Sequence, residues 1–331
     1  MAELRWNPIL KDWTMVNSSR QSRPAMPKDW CPFCPGSGRV PADYQVLRYP
    51  NDFPVLGADP PAPDDVASEP LFRVAPSYGR CEVLLYSPDH HGRVADLDDG
   101  HIHKLSALWR EVFEDMRADP RIKYVFIFEN KGEVVGVTMP HPHGQAYGYS
   151  WLPKTLEREL SSALEYQGAK GSCLFCDLLA AEVKDARRIV FQGEHFTAYV
   201  PFFGNVTYGV HITANRHVPH LGAMSRTELD ALGKAIRAVN GLYDCLFDTS
   251  FPYMMCMHNA PVNTRDDAAV EAAFHFHVEF IPPMRAANLQ QFFASSETGA
   301  GAWCNPNCPE DKAAELRAAY EKYLKLPKKN N

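Results

Sequence analysis

The chain states one pattern twice. CPFC at residues 31–34 is followed by the strand-like CEVLLYSPDH, which ends in His90, then by the helical DDGHIHKLSALWREVFEDMRA, the strand-like YVFIFEN and the run MPHPHGQAYG. CLFC at residues 173–176 is followed by HFTAYVPF, by GVHITANRH ending in His217, by the helical SRTELDALGKAIRAVNGLYDCLF, and by the strands PYMMCMHNAP and FHFHVEFIPP. From Cys31 to Cys173 is 142 residues and from His141 to His275 is 134, so the halves keep step to within a loop. Such a repeat implies an internal duplication and one extended molecule rather than two unrelated domains. The halves are placed at residues 1–155, with the His-Pro-His strand, and 156–331, with the charged helix LPKTLERELSSALEYQ as connector.

Strands alternate with helices, but no Gly-rich phosphate loop follows a first strand, which argues against a doubly wound nucleotide fold. The expected class is α+β, an antiparallel sheet with helices packed on it. Residues 1–70 are rich in proline and turn residues (NSSRQSRPAMPKDW, ADPPAPDD) and read as mostly loop with short strands.

At 331 residues the chain can bury a sizeable core. Its 34 Lys and Arg against 40 Asp and Glu give a net charge of -6, which lacks the basic footprint of nucleic-acid or anionic-membrane binders. A small-molecule substrate is the expected partner, with no nucleic acid and no membrane. The opening MAELRWNPILKDW has no basic segment followed by an apolar one, so a soluble, cytoplasmic protein is expected. Nine cysteines are an odd count, and in a reducing compartment the two C-x-x-C pairs favour a metal over a disulfide.

Zinc closes a tetrahedron of thiolates and imidazoles. Cys31, Cys34, His90 and His141 supply the types needed, and Cys173, Cys176, His217 and His275 repeat them in the same order. One or two Zn2+ per chain are therefore expected. Cys304 and Cys308 have no histidine partner in the pattern and are read as ordinary thiols; His91, His101, His103, His195, His211 and His220 receive no role.

In a strand, alternate residues share a face, so His141, His143 and Gln145 are expected to project together while Pro142 and Gly144 point away. Proline cannot donate to a ladder, which places the stretch at an edge or a strand end. With His141 on zinc, His143 is presented rigidly as a neutral imidazole able to attack phosphorus. Gln145 can donate its amide to a phosphoryl oxygen without activating water, which suits transfer better than hydrolysis.

The run FENKGEVVGVTMPHPHGQ, with SPDHH, CPFC, YPNDFPVL, FPYMMCMHNAP and FHFHVEFIPP, resembles the galactose-1-phosphate uridylyltransferase family of the histidine triad superfamily over nearly the whole chain. The resemblance implies two histidine-triad-like halves and ping-pong transfer of UMP from UDP-glucose to galactose 1-phosphate through a uridylyl-histidine. It puts His143 at the nucleophile and Gln145 at the transferred phosphate, and it matches Cys31, Cys34, His90 and His141 to the family's zinc ligands. Asn51, Asp52 and Phe53 fall on its nucleoside-binding stretch, and Asn130, Gly136 and Thr138 on positions near the uridine and phosphates. Arg20 and Arg23 match arginines that reach a neighbouring subunit's active site, which implies a homodimer.

In the second half some family members hold a metal with a glutamate and three histidines. Glu159, His258, His275 and His277 fall on those positions, as the alternative to the Cys173 set. Near the C-terminus Phe292 and Glu297 keep the sugar-phosphate pattern, while Gln291, Ala294 and Ser296 replace its other members. Gly299 and Gly301 in GAGAW offer backbone amides to a phosphate, and ETGAGAWCNP resembles the branch that includes ADP-glucose phosphorylase. An ADP-sugar phosphorylase and a non-catalytic zinc-dependent nucleotide-binding protein are accordingly the alternatives.

Overall fold

The computed structural model describes residues 2–18 and 30–327. Arg20 and Arg23 lie outside the described residues. The first half contains β1 (Ala2–Asn7), β2 (Asp12–Asn17), β3 (Leu47–Pro50), β4 (Val74–Pro76), β5 (Gly79–Leu85), α1 (Asp99–Arg117), β6 (Tyr124–Lys131) and β7 (His143–Tyr149). After it come α2 (Lys154–Lys170), α3 (Leu174–Asp185), β8 (Ile189–Gln192), β9 (Phe196–Tyr199), β10 (Val210–Ala214), α4 (Arg226–Leu246), β11 (Tyr253–His258), α5 (Asp267–Ala273), β12 (His277–Ile281), β13 (Met284–Ala286), β14 (Leu289–Gln290) and α6 (Pro309–Leu324).

Nine of these strands form one sheet in the order β3-β5-β7-β6-β11-β12-β10-β9-β8, and its ladders are antiparallel. Outward from the β6–β11 seam, where Phe128 faces Cys256, the order β6, β7, β5, β3 on one side answers β11, β12, β10, β9 on the other. The duplication read from the sequence is therefore the symmetry of the sheet, and the expected α+β class is the observed one.

One face of the sheet is covered by helices. Along α1 the residues Ile102, Leu105, Trp109, Val112, Phe113 and Met116 are buried, an apolar stripe at helical spacing. Helix α4 buries Leu229, Leu232, Ile236, Val239 and Tyr243 in the same way and packs on α1, with α6 against it. Strand β7 offers this layer only Gly144, Ala146 and Gly148; a Cβ on Gly148 would lie 3.2 Å from Ile122 and 3.5 Å from Met116. Strand alternation then turns His143 and Gln145 to the opposite face, together with Phe128 and Asn130 of β6, His258 of β11, His277 and Glu279 of β12 and His211 of β10.

One expectation needs correction. His141 is not on the strand: β7 begins at His143, because Pro142 has no N–H to give and only its carbonyl extends the pairing, accepting from Tyr86 N at 3.0 Å. The second half has the same layout without a proline: His275 precedes β12 and His277 opens it, while Phe276 N donates to the Val218 carbonyl at 2.6 Å. CLFC, in turn, is a helix start, with Cys173 as the N-cap of α3 and Cys176 in its first turn.

Candidate active site and metal centres

The turn at Cys31 and Cys34, the loop after β5 and the segment before β7 bring one donor atom each from Cys31, Cys34, His90 and His141 within 4.8 Å of one another. Cys34 Sγ lies 3.5 Å from His90 Nδ1 and 3.8 Å from His141 Nδ1, and Cys31 Sγ lies 3.7 Å from His141 Nδ1. Ligands at zinc's bond lengths stand about 3.5 Å apart along a tetrahedron's edges, so the spacing fits the ion. The imidazole is oriented for it: His141 Nε2 sits 2.7 Å from the Ser87 carbonyl and 3.0 Å from the Tyr44 hydroxyl, which fixes the proton on Nε2 and leaves Nδ1 to face the sulfurs. Burial lowers His141 to about 4 and pushes the Cys34 thiol up to about 11, so the histidine is neutral and a thiolate there calls for a cation.

Cys173, Cys176, His217 and His275 make the matching group in the second half. Cys176 Sγ is 3.3 Å from His275 Nδ1 and 3.6 Å from His217 Nδ1, and His217 Nε2 is held 2.8 Å from the Glu271 carbonyl. The alternative set from the sequence does not assemble as written. His275 belongs to the cysteine group, and Glu279 joins Glu159, His258 and His277 in a third group on the open face. His258 Nδ1 lies 3.0 Å from Glu159 and His277 Nε2 lies 3.7 Å from Glu279, with His211 Nε2 3.3 Å from the same carboxylate. The two groups are therefore distinct and share no residue. Burial disfavours charge on Glu159 and Glu279, yet the surrounding histidines hold both carboxyls below their ordinary range.

His143 lies opposite Leu85 at the start of β7. Its Nδ1 is 2.8 Å from the carbonyl oxygen of His141. A carbonyl only accepts, so Nδ1 carries the proton and the lone pair falls on Nε2. The β6–β7 ladder stops at Phe128↔Gln145 while β6 runs on against β11 to Lys131↔Tyr253. Gly132 and Gly136 take φ of 101° and 82° in the connection that arches over this gap, a region that glycine enters without strain. A cavity of 360 Å3 results, lined by His143, His141, Asn130, Thr138, Lys131 and Glu129 among others. Gln145 sits two residues along the same face, its Oε1 accepting from the Tyr147 hydroxyl at 3.4 Å.

Comparison with known proteins resolves what this assembly belongs to. Residues 2–153 match the model of the galactose-1-phosphate uridyl transferase N-terminal domain and residues 159–325 that of its C-terminal domain. The chain belongs to this family. It is 40% identical over 318 residues to the galactose-1-phosphate uridylyltransferase of Thermotoga maritima, covering 96% of this chain and 98% of that one. It is 31% identical to the enzyme of that name from Haemophilus influenzae, covering 97% and 95%. A solved uridylyltransferase superposes with a TM-score of 0.88 at 30% identity, covering 98% and 100% of the two chains. An ADP-glucose phosphorylase from Arabidopsis thaliana shares the fold at a TM-score of 0.74 and 21% identity.

Of the residues that galactose-1-phosphate uridyl transferase likeness carries over, His143, Asn130 and Thr138 meet at the cavity, whereas Gly136 shapes the connection above it. Asn51 lines a separate groove with Arg48 and Arg80, Asp52 is paired with Arg39 at 2.8 Å, and the Asn51 side chain caps Phe53 N at 2.9 Å. Phe292, Gly299 and Gly301 lie exposed and Glu297 half-buried on a C-terminal segment that does not line the His143 cavity; Glu297 accepts from Ala294 N at 3.0 Å. Tyr44 and Glu279 escaped the sequence reading. Glu279 left a signal, standing two residues after His277 on an alternating strand, while nothing local ties Tyr44 to His141.

Proposed function

We propose that this chain transfers a uridylyl group between UDP-glucose and galactose 1-phosphate through His143. The observation that carries the proposal is the hydrogen bond from His143 Nδ1 to the His141 carbonyl, which sets the tautomer and leaves the ring's lone pair on Nε2 of a residue that lines the cavity. Nε2 attacks the α-phosphorus, the bond from phosphorus to the glucose 1-phosphate oxygen breaks, and glucose 1-phosphate leaves. A phosphate oxygen of galactose 1-phosphate then attacks the same phosphorus, the P–N bond breaks, and UDP-galactose leaves with His143 restored. The amide of Gln145, two residues along the same strand face, would meet the charge that builds on the phosphoryl oxygens. The 40% identity to a curated uridylyltransferase favours this reaction over phosphorolysis of an ADP-sugar, with which only the fold is held in common at 21% identity.

The proposal includes zinc on Cys31, Cys34, His90 and His141 and on Cys173, Cys176, His217 and His275. Cys31, Cys34, His90 and His141 would hold the first ion, which would tie the CPFC turn and the loop after β5 to the segment before β7 and so keep His141, and through its carbonyl His143, in place. It includes a division of the halves at residue 155, a cytoplasmic setting that keeps the thiols reduced, and a homodimer in which Arg20 and Arg23 approach the partner's active site. The dimer accounts for sugar-phosphate residues that do not reach the cavity within one chain. A donor and acceptor panel tests the reaction: UDP-glucose with galactose 1-phosphate should be the best pair, and a preference for ADP-glucose with inorganic phosphate would replace it with the phosphorylase reading.

A further inference from the structure

Glu129 and Asn240 form part of the His143 cavity wall, and no step above uses either. Glu129 lies on the helix-facing side of β6 and is buried. Its Oε1 is 2.7 Å from the Tyr253 hydroxyl, and that hydroxyl is also hydrogen-bonded to Asn240 Oδ1. Asn240 spends its amide nitrogen on the Ile236 carbonyl at 3.1 Å, so its oxygen is the atom turned to Tyr253. A phenol has one proton, and here it meets two acceptors. Both contacts are hydrogen bonds only when the second proton comes from Glu129. The carboxyl's other oxygen, Oε2, and the Tyr86 hydroxyl are buried without a partner among the described residues, a setting in which a full negative charge is costly.

Among the described residues, the groups facing Glu129 are Tyr86 after β5, with Trp109 of α1 behind it, Asn240 of α4, Tyr253 of β11 and the charged Lys131 on its own strand. Lys131 is already engaged by Asp244 of α4 at 2.8 Å, and Arg93 reaches the same carboxylate at 3.3 Å. Burial pushes the Glu129 carboxyl up to about 7 against the pull of Tyr253 and Lys131.

We propose that Glu129 is a positioning residue held as a neutral carboxylic acid in the cavity wall, and that its neutrality is what admits the phosphates of the substrates. This rests on the reading that phosphates occupy the cavity. An ionised Glu129 would place negative charge in that wall, where solvent screens it weakly. Because the folded-state value is raised, the neutral form prevails below about 7 and is lost as the pH rises through it. Phosphate affinity should then fall about tenfold per pH unit above that point.

Isotope-edited infrared spectroscopy on protein carrying 13C-glutamate reads the protonation state directly, and KM for UDP-glucose from about pH 6 to about pH 9 reads its effect. The expected result is a buried carboxylic-acid band that is absent from Glu129→Gln, that fades through about pH 7, and whose midpoint coincides with the rise in wild-type KM at nearly constant kcat. Glu129→Gln, whose amide donates to Tyr253 as the acid does, should have a KM that no longer rises. Were that variant unstable, the coincidence of the two wild-type midpoints would still decide. A carboxylate already ionised at about pH 6, or an unchanged rise in the variant, overturns the proposal. A protein that shows the band but transfers no nucleotide supports the neutral acid and refutes the reaction instead; UDP binding by calorimetry then takes the place of KM.

Discussion

His143 and His277 stand at the same position of the two halves, each with Nδ1 on the carbonyl of the histidine two residues before it, at 2.8 and 3.0 Å. What separates them is their surroundings. His277 is buried against Glu279 and His258, while His143 borders a cavity. His143→Gly should therefore abolish transfer and leave the metal content intact, as measured by elemental analysis; a variant that lost metal would show His143 to be a ligand. Gln145→Ala should lower kcat by about 10²–10³ if its amide meets developing phosphoryl charge, and a change confined to KM would remove it from that role. The proposed nucleophile was legible because His-Pro-His-Gly-Gln is local. Glu279 and Glu129 were not, since their partners come from α2, α4, β10 and β11, and strand alternation alone does not say which face will be polar.

At the scale of elements, the start of β7 is held from two sides. Pro142 forbids an earlier ladder, and Gly144 is where the Tyr86 hydroxyl approaches the strand: a Cβ there would collide with that hydroxyl and lie 3.0 Å from the Phe128 carbonyl. Gly144→Ala should cost about 1–3 kcal/mol in chemical denaturation and reduce transfer with it, whereas near-wild-type stability would mean that the strand has room. Helix α4, which supports the β10 end of the sheet, begins in a capping box: Glu228 N takes the Ser225 hydroxyl at 3.3 Å and Ser225 N takes the Glu228 carboxylate at 2.7 Å. The Arg216 hydrogen bond lowers Glu228 to about 2. A depressed carboxyl stabilises the fold above its unfolded value near 4.5 and gives that up as the pH falls toward about 2. Glu228→Gln should lower stability by about 1–2 kcal/mol at neutral pH and flatten this acid limb; an unaltered limb would assign it to other groups. SRTELDALG carries this signal plainly in the sequence. The helical start at Cys173 was hidden because C-x-x-C reads as a loop until α3 is seen to grow from it.

Across the whole molecule, duplication sets the sheet order, the two cysteine groups and the paired histidines, and the halves then diverge. Substitution Cys34→Ser should release one zinc and Cys176→Ser the other, each independently, with a loss of about 2 kcal/mol and a Tm lower by about 4–8 °C. Equal metal content in wild type and variants would leave the tetrads structural clusters without ions. Nothing in this tests the chemistry at its centre. That is done by mixing the protein with UDP-glucose labelled at the α-phosphate, without acceptor, and isolating the denatured chain. Label bound in a base-stable, acid-labile linkage, mapped to His143 and discharged by galactose 1-phosphate, is the expected result; an unlabelled chain that still exchanges nucleotide between the two sugars would contradict the histidine intermediate.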